Sequence, residues 1–215
     1  MGCFAKGCLT VLIVGFLFFA ALLGGAWYFY SRTVANLTSS APLDVRIEQP
    51  SEAQFQAAES TRTRLDEAVA RNAETTVEFT SADLNALLAR DADFEEFRGR
   101  ARVDIADSMM TIALSVPLDS VPMRKLRKRW FNGTARFGFT YSSGEFEVDL
   151  ESLEAGQHRL PRQFLSSYFM DLFNDVVNEV FEEDLRNGNR DREFWSRVKT
   201  ISLQGDKLIV TTKAK

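Results

Sequence analysis

The sequence predicts an α+β protein: an N-terminal transmembrane helix, followed by one domain in which a curved antiparallel sheet packs around a long amphipathic helix. Three observations carry this prediction. Residues 8–30 are apolar and uncharged, apolar residues alternate in paired runs over residues 101–150, and apolar pairs recur every four positions over residues 161–187. Alternation with a period of two is typical of half-buried strands, and recurrence at three and four positions is typical of helices.

The apolar segment reads CLTVLIVGFLFFAALLGGAWYFY. As a helix it would extend about 34 Å, and the hydrocarbon core of a bilayer is about 30 Å thick. Trp27, Tyr28 and Tyr30 stand at its end, where aromatic rings favour the headgroup level. We therefore predict a cytoplasmic segment over residues 1–7 and a single span over residues 8–30. The expected location is the inner or cytoplasmic membrane, with the N-terminus inside and the C-terminal domain outside.

A cleaved signal peptide is the alternative interpretation of this segment. Gly24 and Ala26 are the small residues that would precede the cleavage site. The apolar stretch is longer than the region of about 7 to 15 residues that is usual in signal peptides, and it continues into the aromatic residues. The sequence therefore favours a signal anchor.

The remainder of the chain divides into a linker and one domain. Residues 31–50 are rich in Ser, Thr, Ala and Pro, which predicts a linker, and residues 51–215 are predicted to form the extracytoplasmic domain. Cys3 and Cys8 precede this domain, so disulfides are not expected to stabilise it. After the span, 25 basic side chains stand against 30 acidic ones, and this balance disfavours nucleic acid as a partner.

Local signals place the elements of the domain. The pattern Ser51–Gln54 is a capping box that predicts a helix to about Asn72, whose thin apolar face indicates that it lies on the domain surface or leads out of the membrane. Thr80 is expected to cap a second helix. Pro161 is expected to open the longest helix, which ends at Asn187 and Gly188. Strands are predicted at 75–79, 101–105, 110–116, 131–141, 146–150, 197–204 and 207–213. Turns at 107–108, 142–144 and 205–206 are expected to join six of them into three antiparallel hairpins.

The apolar pairs of the long helix do not stay on one face. Four residues advance about 400° around a helix, so the apolar stripe turns by about 160° over the series. A strongly twisted sheet that cradles the helix would satisfy such a stripe. This cradle is also a candidate site for a lipid or another hydrophobic ligand, and its predicted lining residues are Phe137, Phe139, Tyr141, Phe169 and Phe173.

The densest run of charge is basic and ends in an aromatic residue. It is a candidate contact for anionic headgroups or for an acidic partner, with the aromatic ring at the interface. The alternative is an ordinary solvated loop. The residues are Arg124, Lys125, Arg127, Lys128, Arg129 and Trp130.

Catalytic and metal-binding patterns are absent from the sequence. Asp171, Asp175 and Glu179 recur on one side of the long helix, but they lack the spacing of a metal-binding loop. His158 is the single histidine, and no nucleophile motif accompanies it. We therefore predict no catalytic residue, no metal site, no cofactor and no enzymatic activity.

Three segments together resemble the YpmS-like bacterial membrane-anchored domains: FTSADLNALLAR (79–90), SVPLD (115–119) and FNGTARFGFTYSSGEFEVDLESLEAGQHRLP (131–161). The layout is also similar to small domains of tubular-lipid-binding shape, in which a curved sheet wraps a long helix. The resemblance implies binding of an acyl chain or a hydrophobic envelope component, and it implies a structural role for Asn85.

Two functions follow as hypotheses. The first is a membrane-anchored extracytoplasmic domain that binds a lipid or another hydrophobic component of the envelope, with the bilayer itself as a partner. The second is a non-catalytic structural or interaction module of the envelope that binds an envelope protein. In the second, the same apolar faces form a packed core, as apolar stripes usually do.

Overall fold

The computed structural model describes residues 38–43, 45, 49–119, 126–156, 158–159, 167–187 and 189–214. Within these ranges the chain forms one antiparallel eight-stranded sheet with helices on it. The helices are α1 (Glu52–Arg71), α2 (Ser81–Arg90), α3 (Ser167–Asn187) and α4 (Asn189–Arg197). The strands are β1 (Thr76–Thr80), β2 (Ala101–Ala106), β3 (Met109–Pro117), β4 (Trp130–Ser142), β5 (Glu145–Ala155), β6 (His158–Arg159), β7 (Val198–Gln204) and β8 (Lys207–Thr212).

Strand β4 is the centre of the sheet because it pairs with three other strands. Along one edge, residues 133–142 pair with β5. Along the other edge, residues 130–137 pair with β3 and residues 140–142 pair with β7. The sheet therefore divides at β4 into a β3–β2 branch and a β7–β8–β1 branch.

The two branches meet through their hairpin turns. The Ser108 backbone N–H donates to the Gly205 carbonyl at 2.8 Å, and the Gly205 N–H donates to the Ser108 hydroxyl at 2.9 Å. Gly138 lies between the two paired parts of β4, and a Cβ there would be 3.3 Å from the Met109 sulfur. A larger side chain at position 138 would therefore press on Met109 of β3.

The three predicted hairpins are confirmed. Their strands pair antiparallel across two-residue turns at positions 107–108, 143–144 and 205–206. Asp107 and Ser108 both have positive φ, of 56° and 61°, as tight hairpin turns require. The capping boxes at Ser51 and Thr80 are also present.

The helices cover one face of the sheet and bury an aromatic cluster against it. Tyr141 of β4 lies 5.0 Å from Trp195 and 5.8 Å from Phe181, measured between ring centroids. Phe146 of β5 lies 5.1 Å from Phe181. Edge-to-face pairs of this kind add about 0.5–1.5 kcal/mol each beyond the burial of their area. This cluster therefore fixes α3 and α4 on the sheet.

The predicted surface position of α1 is confirmed. Ala58, Leu65, Ala68 and Val69 are buried where α1 packs on α2, β1 and β8, while most of its other side chains are exposed. The narrow apolar face is therefore enough to hold the helix on the domain.

The predicted fold class is wrong. The domain is a branched eight-stranded sheet whose core involves four helices, whereas the prediction placed one long helix inside a curved sheet. Helix α3 lies beside β5 and bonds to its backbone, and α1, α2 and α4 also contribute buried residues to the core. The apolar repeat of α3 led to the wrong prediction, because apolar pairs that turn around a helix indicate packing partners on several sides of it.

The prediction of a transmembrane, single-pass signal-anchor and lipid-binding protein is corrected as well. Within the described ranges, no helix is both long enough and apolar enough to cross a bilayer. The two longest, α1 and α3, have 20 and 21 residues and carry charged side chains along their length. The predicted span at residues 8–30, with Trp27, Tyr28 and Tyr30, lies outside the described residues, as does the segment 1–7.

Candidate interaction surface

Helix α3 is attached to the edge of β5 by two asparagine side chains. The Asn178 carboxamide accepts from the Phe146 N–H at 2.7 Å and donates to the Phe146 carbonyl at 2.9 Å. The Asn174 carboxamide bonds to the N–H and carbonyl of Val148 at 2.8 and 3.2 Å. Each carboxamide thus replaces the backbone of a neighbouring strand. The two contacts therefore fix the position of α3 along β5 and its rotation about its own axis.

The same device closes the edge of β2. The Asn85 side chain of α2 accepts from the Val103 N–H at 2.9 Å and donates to the Val103 carbonyl at 2.6 Å. The Ser81 hydroxyl accepts from the Ile105 N–H at 2.7 Å. A buried or half-buried backbone group without a partner costs about 1–3 kcal/mol, so these bonds stabilise both edges.

The rotation of α3 gives the two members of the apolar pairs 172/173, 176/177 and 180/181 different exposure. Phe173 and Val177 are buried in the core, with 7% and 4% of their surface exposed. Their neighbours Leu172 and Val176 are less buried: Leu172 is 45% exposed and Val176 is half-buried. Val180, which precedes the buried Phe181, is half-buried. An apolar stripe of Leu172, Val176 and Val180 therefore lies on the outer side of α3, and we call it the α3 stripe.

Acidic side chains flank the α3 stripe. Around the helix, at about 100° per residue, most acids of α3 lie between the two asparagines and the α3 stripe. The exposed side of β5 carries further acids at alternate positions. The exposed acids are Asp171, Asp175, Glu179, Glu182 and Glu183 on α3, and Glu145, Glu147, Asp149 and Glu151 on β5. The surface combines exposed apolar area with strong negative charge.

A second surface lies where β3 ends and β4 begins. Ser39 pairs with Trp130 by two backbone bonds of 2.8 Å, and Thr38 bonds to the Arg129 side chain. The Leu43 N–H lies 3.0 Å from the Asn132 side-chain oxygen and 3.1 Å from the Ser115 hydroxyl. Part of the predicted linker therefore lies on the domain.

This second surface is basic and also exposes a large apolar side chain. Leu43 is 41% exposed. The Arg100 guanidinium lies 5.8 Å from the centre of the Trp130 ring, a favourable cation–aromatic contact. Arg127 and Lys128 are exposed in the turn before β4.

The predicted basic run is only partly described. Arg127, Lys128, Arg129 and Trp130 belong to the second surface, with Trp130 half-buried. Arg124 and Lys125 lie outside the described residues. The predicted headgroup or partner contact stays a prediction.

The structure places the predicted cradle residues in the core. Phe137, Phe139, Tyr141 and Phe173 have between 4% and 7% of their surface exposed and belong to one cluster of buried residues. The side chain of Phe169 lies outside the described residues. Their surroundings are those of packed core residues.

A third polar cluster joins α1 to the chain after α2. The Arg62 guanidinium is bonded to Asp91 and lies 3.7 Å from Asp93. The Asp91 carboxylate, which is 8% exposed, also caps the following turn through the Asp93 N–H. Burial raises the pKa of Asp66 nearby, and the positive charge of Arg62 opposes this shift. The cluster secures α1 and leaves one carboxyl group in an unfavourable environment.

Catalytic features do not converge in the described part of the chain. His158 is exposed on β6, while Asp171, Asp175 and Glu179 are exposed on α3. Among the described residues, no group of three or more acidic, histidine or cysteine side chains is arranged to hold a metal ion.

Sequence reasoning missed the α3 stripe and the asparagine contacts. Asn174 and Asn178 stand four residues apart inside a helix, where asparagine is unfavourable. The available signal was this pair of poor helix formers at four-residue spacing, because it indicates side chains that bond to groups outside the helix.

Comparison of the chain with protein-family models, with curated proteins and with solved structures finds no match. The resemblance to the YpmS-like domains stays a prediction, as do the location in the membrane and the lack of enzymatic activity.

Proposed function

We propose that this protein is a non-catalytic interaction module that binds a protein partner through the outer side of α3. The observation that carries the proposal is the α3 stripe, whose Leu172 is 45% exposed on a helix that already buries its other face. Apolar side chains at four-residue spacing, bordered by charge, are typical of a surface that receives another protein segment.

The polar side chains of the fold support the same proposal. Asn85, Asn174 and Asn178 bond to strand backbone, and Arg62 is paired with Asp91. These groups stabilise the structure, so they are not available for chemistry on a substrate. The exposed acids beside the α3 stripe are available, and their charge selects for a basic partner.

Photo-crosslinking tests the proposal in cells that express the full chain. p-Benzoylphenylalanine at position 172 should give a discrete protein adduct, whereas the same residue at exposed position 63, on α1, should not. Asp175→Lys with Glu179→Lys should abolish the adduct, and Glu59→Lys, an exposed change on α1, should leave it intact. The proposal is wrong if position 172 gives no discrete adduct, or if the charge reversals leave it unchanged.

A further inference from the structure

The two surfaces described above are complementary to each other. Among the described residues, the exposed large apolar side chains are Leu43 and Leu172. Leu172 lies on α3 beside the exposed acids Asp175 and Glu179, and Leu43 lies on the surface that exposes Arg127 and Lys128. Each surface therefore offers the apolar contact and the opposite charge that the other would need.

The two surfaces cannot meet within one chain. Leu172 belongs to the helix beside the β5 edge of β4. Leu43 is bonded to Ser115 of β3 and Asn132 of β4, on the far side of that strand. Any contact between them must join two copies of the protein.

Symmetry decides how two copies would associate. If the α3 stripe met the same stripe of a second copy, Asp175 and Glu179 would face identical acids, and like charges in contact are costly. If it met the basic surface of the second copy, opposite charges would face one another. The second contact is head-to-tail, because it uses different surfaces of the two copies.

We propose that the partner received by the α3 stripe is a second copy of this chain, which docks head-to-tail through the surface formed by Leu43, Arg127, Lys128 and Trp130. The inference rests on the proposed function, since it names the partner of the same surface. It assigns a role to the exposed basic residues and to residues 38–43.

Crosslinking between two differently tagged full-length copies tests the inference. Both copies carry Cys3→Ser and Cys8→Ser, which removes the two native cysteines. One copy carries Leu43→Cys and the other Leu172→Cys, and a short bismaleimide is added to the expressing cells. The 43–172 product should form. Matched pairs at 43–43 and 172–172, and the control pair of Leu43→Cys with Thr63→Cys, should give none.

Charge reversal makes the test specific. Asp175→Lys with Glu179→Lys in one copy should reduce the 43–172 product by more than about tenfold, because like charges then face each other. Arg127→Glu with Lys128→Glu in the other copy should do the same. Combining the two reversed copies should restore the product, which also shows that the variants are folded.

Three results would overturn the inference: no 43–172 product, a 172–172 product in its place, or no recovery when the reversed copies are combined. If position 172 still gives a photo-adduct with a different protein, the proposed function stands and the second copy is not the partner. If neither assay gives a product, both proposals are wrong.

Discussion

Asn174 and Asn178 show how single side chains can determine the position of a helix. Each satisfies both backbone groups of one residue of β5, at distances between 2.7 and 3.2 Å. Shortening either side chain would leave a strand N–H and a carbonyl without these bonds.

Replacing Asn178 by Ala should lower the free energy of unfolding by about 1–3 kcal/mol, the cost of leaving buried polar groups without partners. Urea unfolding followed by the fluorescence of the buried Trp195 measures this change. Asp175→Ala, an exposed substitution on the same helix, should alter stability by less than about 0.5 kcal/mol. Equal effects of the two substitutions would contradict the role of Asn178.

Asp66 gives a prediction on pH dependence. Burial raises its pKa, so the folded protein holds this proton at a higher pH than the unfolded chain does. The contribution of Asp66 to stability is therefore complete below the unfolded pKa of about 3.9, and it is lost as pH rises through the folded value.

Asp66→Asn should remove this loss and make the protein more stable than the wild type near neutral pH. Urea midpoints of both proteins, compared between about pH 4 and pH 7, provide the measurement, with the unfolded pKa marking the lower limit. If the stability of the wild type relative to the variant increased with pH, the predicted sign of the Asp66 effect would be wrong.

At the scale of the element, the orientation of α3 separates neighbours that look equivalent in the sequence. Leu172 and Phe173 are 45% and 7% exposed, respectively. Phe173→Ala should cost about 3–5 kcal/mol because it opens a cavity in the core. Leu172→Ala should change stability by less than about 0.5 kcal/mol, as exposed substitutions usually do. Chemical denaturation of the two variants measures the difference. Similar losses of stability would mean that α3 does not turn Phe173 toward the core and Leu172 away from it.

Local chemistry made much of the secondary structure predictable. The capping boxes at Ser51 and Thr80 and the hairpin turns at Asp107, Ser143 and Gly205 each depend on residues close in sequence. The contact of Asn178 with Phe146 joins residues 32 positions apart, and no local pattern encodes it. The candidate site was missed for the same reason, since the exposure of Leu172 depends on that contact. Helix α4 was also missed, although Phe194 and Trp195 bury it against the core.

At the scale of the whole molecule, β4 joins both branches of the sheet. Its residues 133–137 pair with β3 and β5, and its residues 140–142 pair with β5 and β7. Amides that are bonded in the middle of a sheet exchange with solvent mainly through global unfolding.

We expect the amides of residues 133–142 to exchange most slowly and those of β6, a two-residue strand, to exchange fast. Hydrogen exchange followed by mass spectrometry measures both. If the peptides of β4 and β6 lost protection at the same rate, β4 would not be the centre of the fold.

The asparagine contacts also bear on how the protein avoids aggregation. An uncovered strand edge can recruit a strand from another molecule and start a cross-β fibril. At Phe146, Val148 and Val103 the backbone groups that would begin such growth are already bonded to carboxamides. Carboxamides have no further backbone to offer, so the hydrogen-bonded ladder stops there, and fibril growth cannot start from these positions while α2 and α3 stay in place.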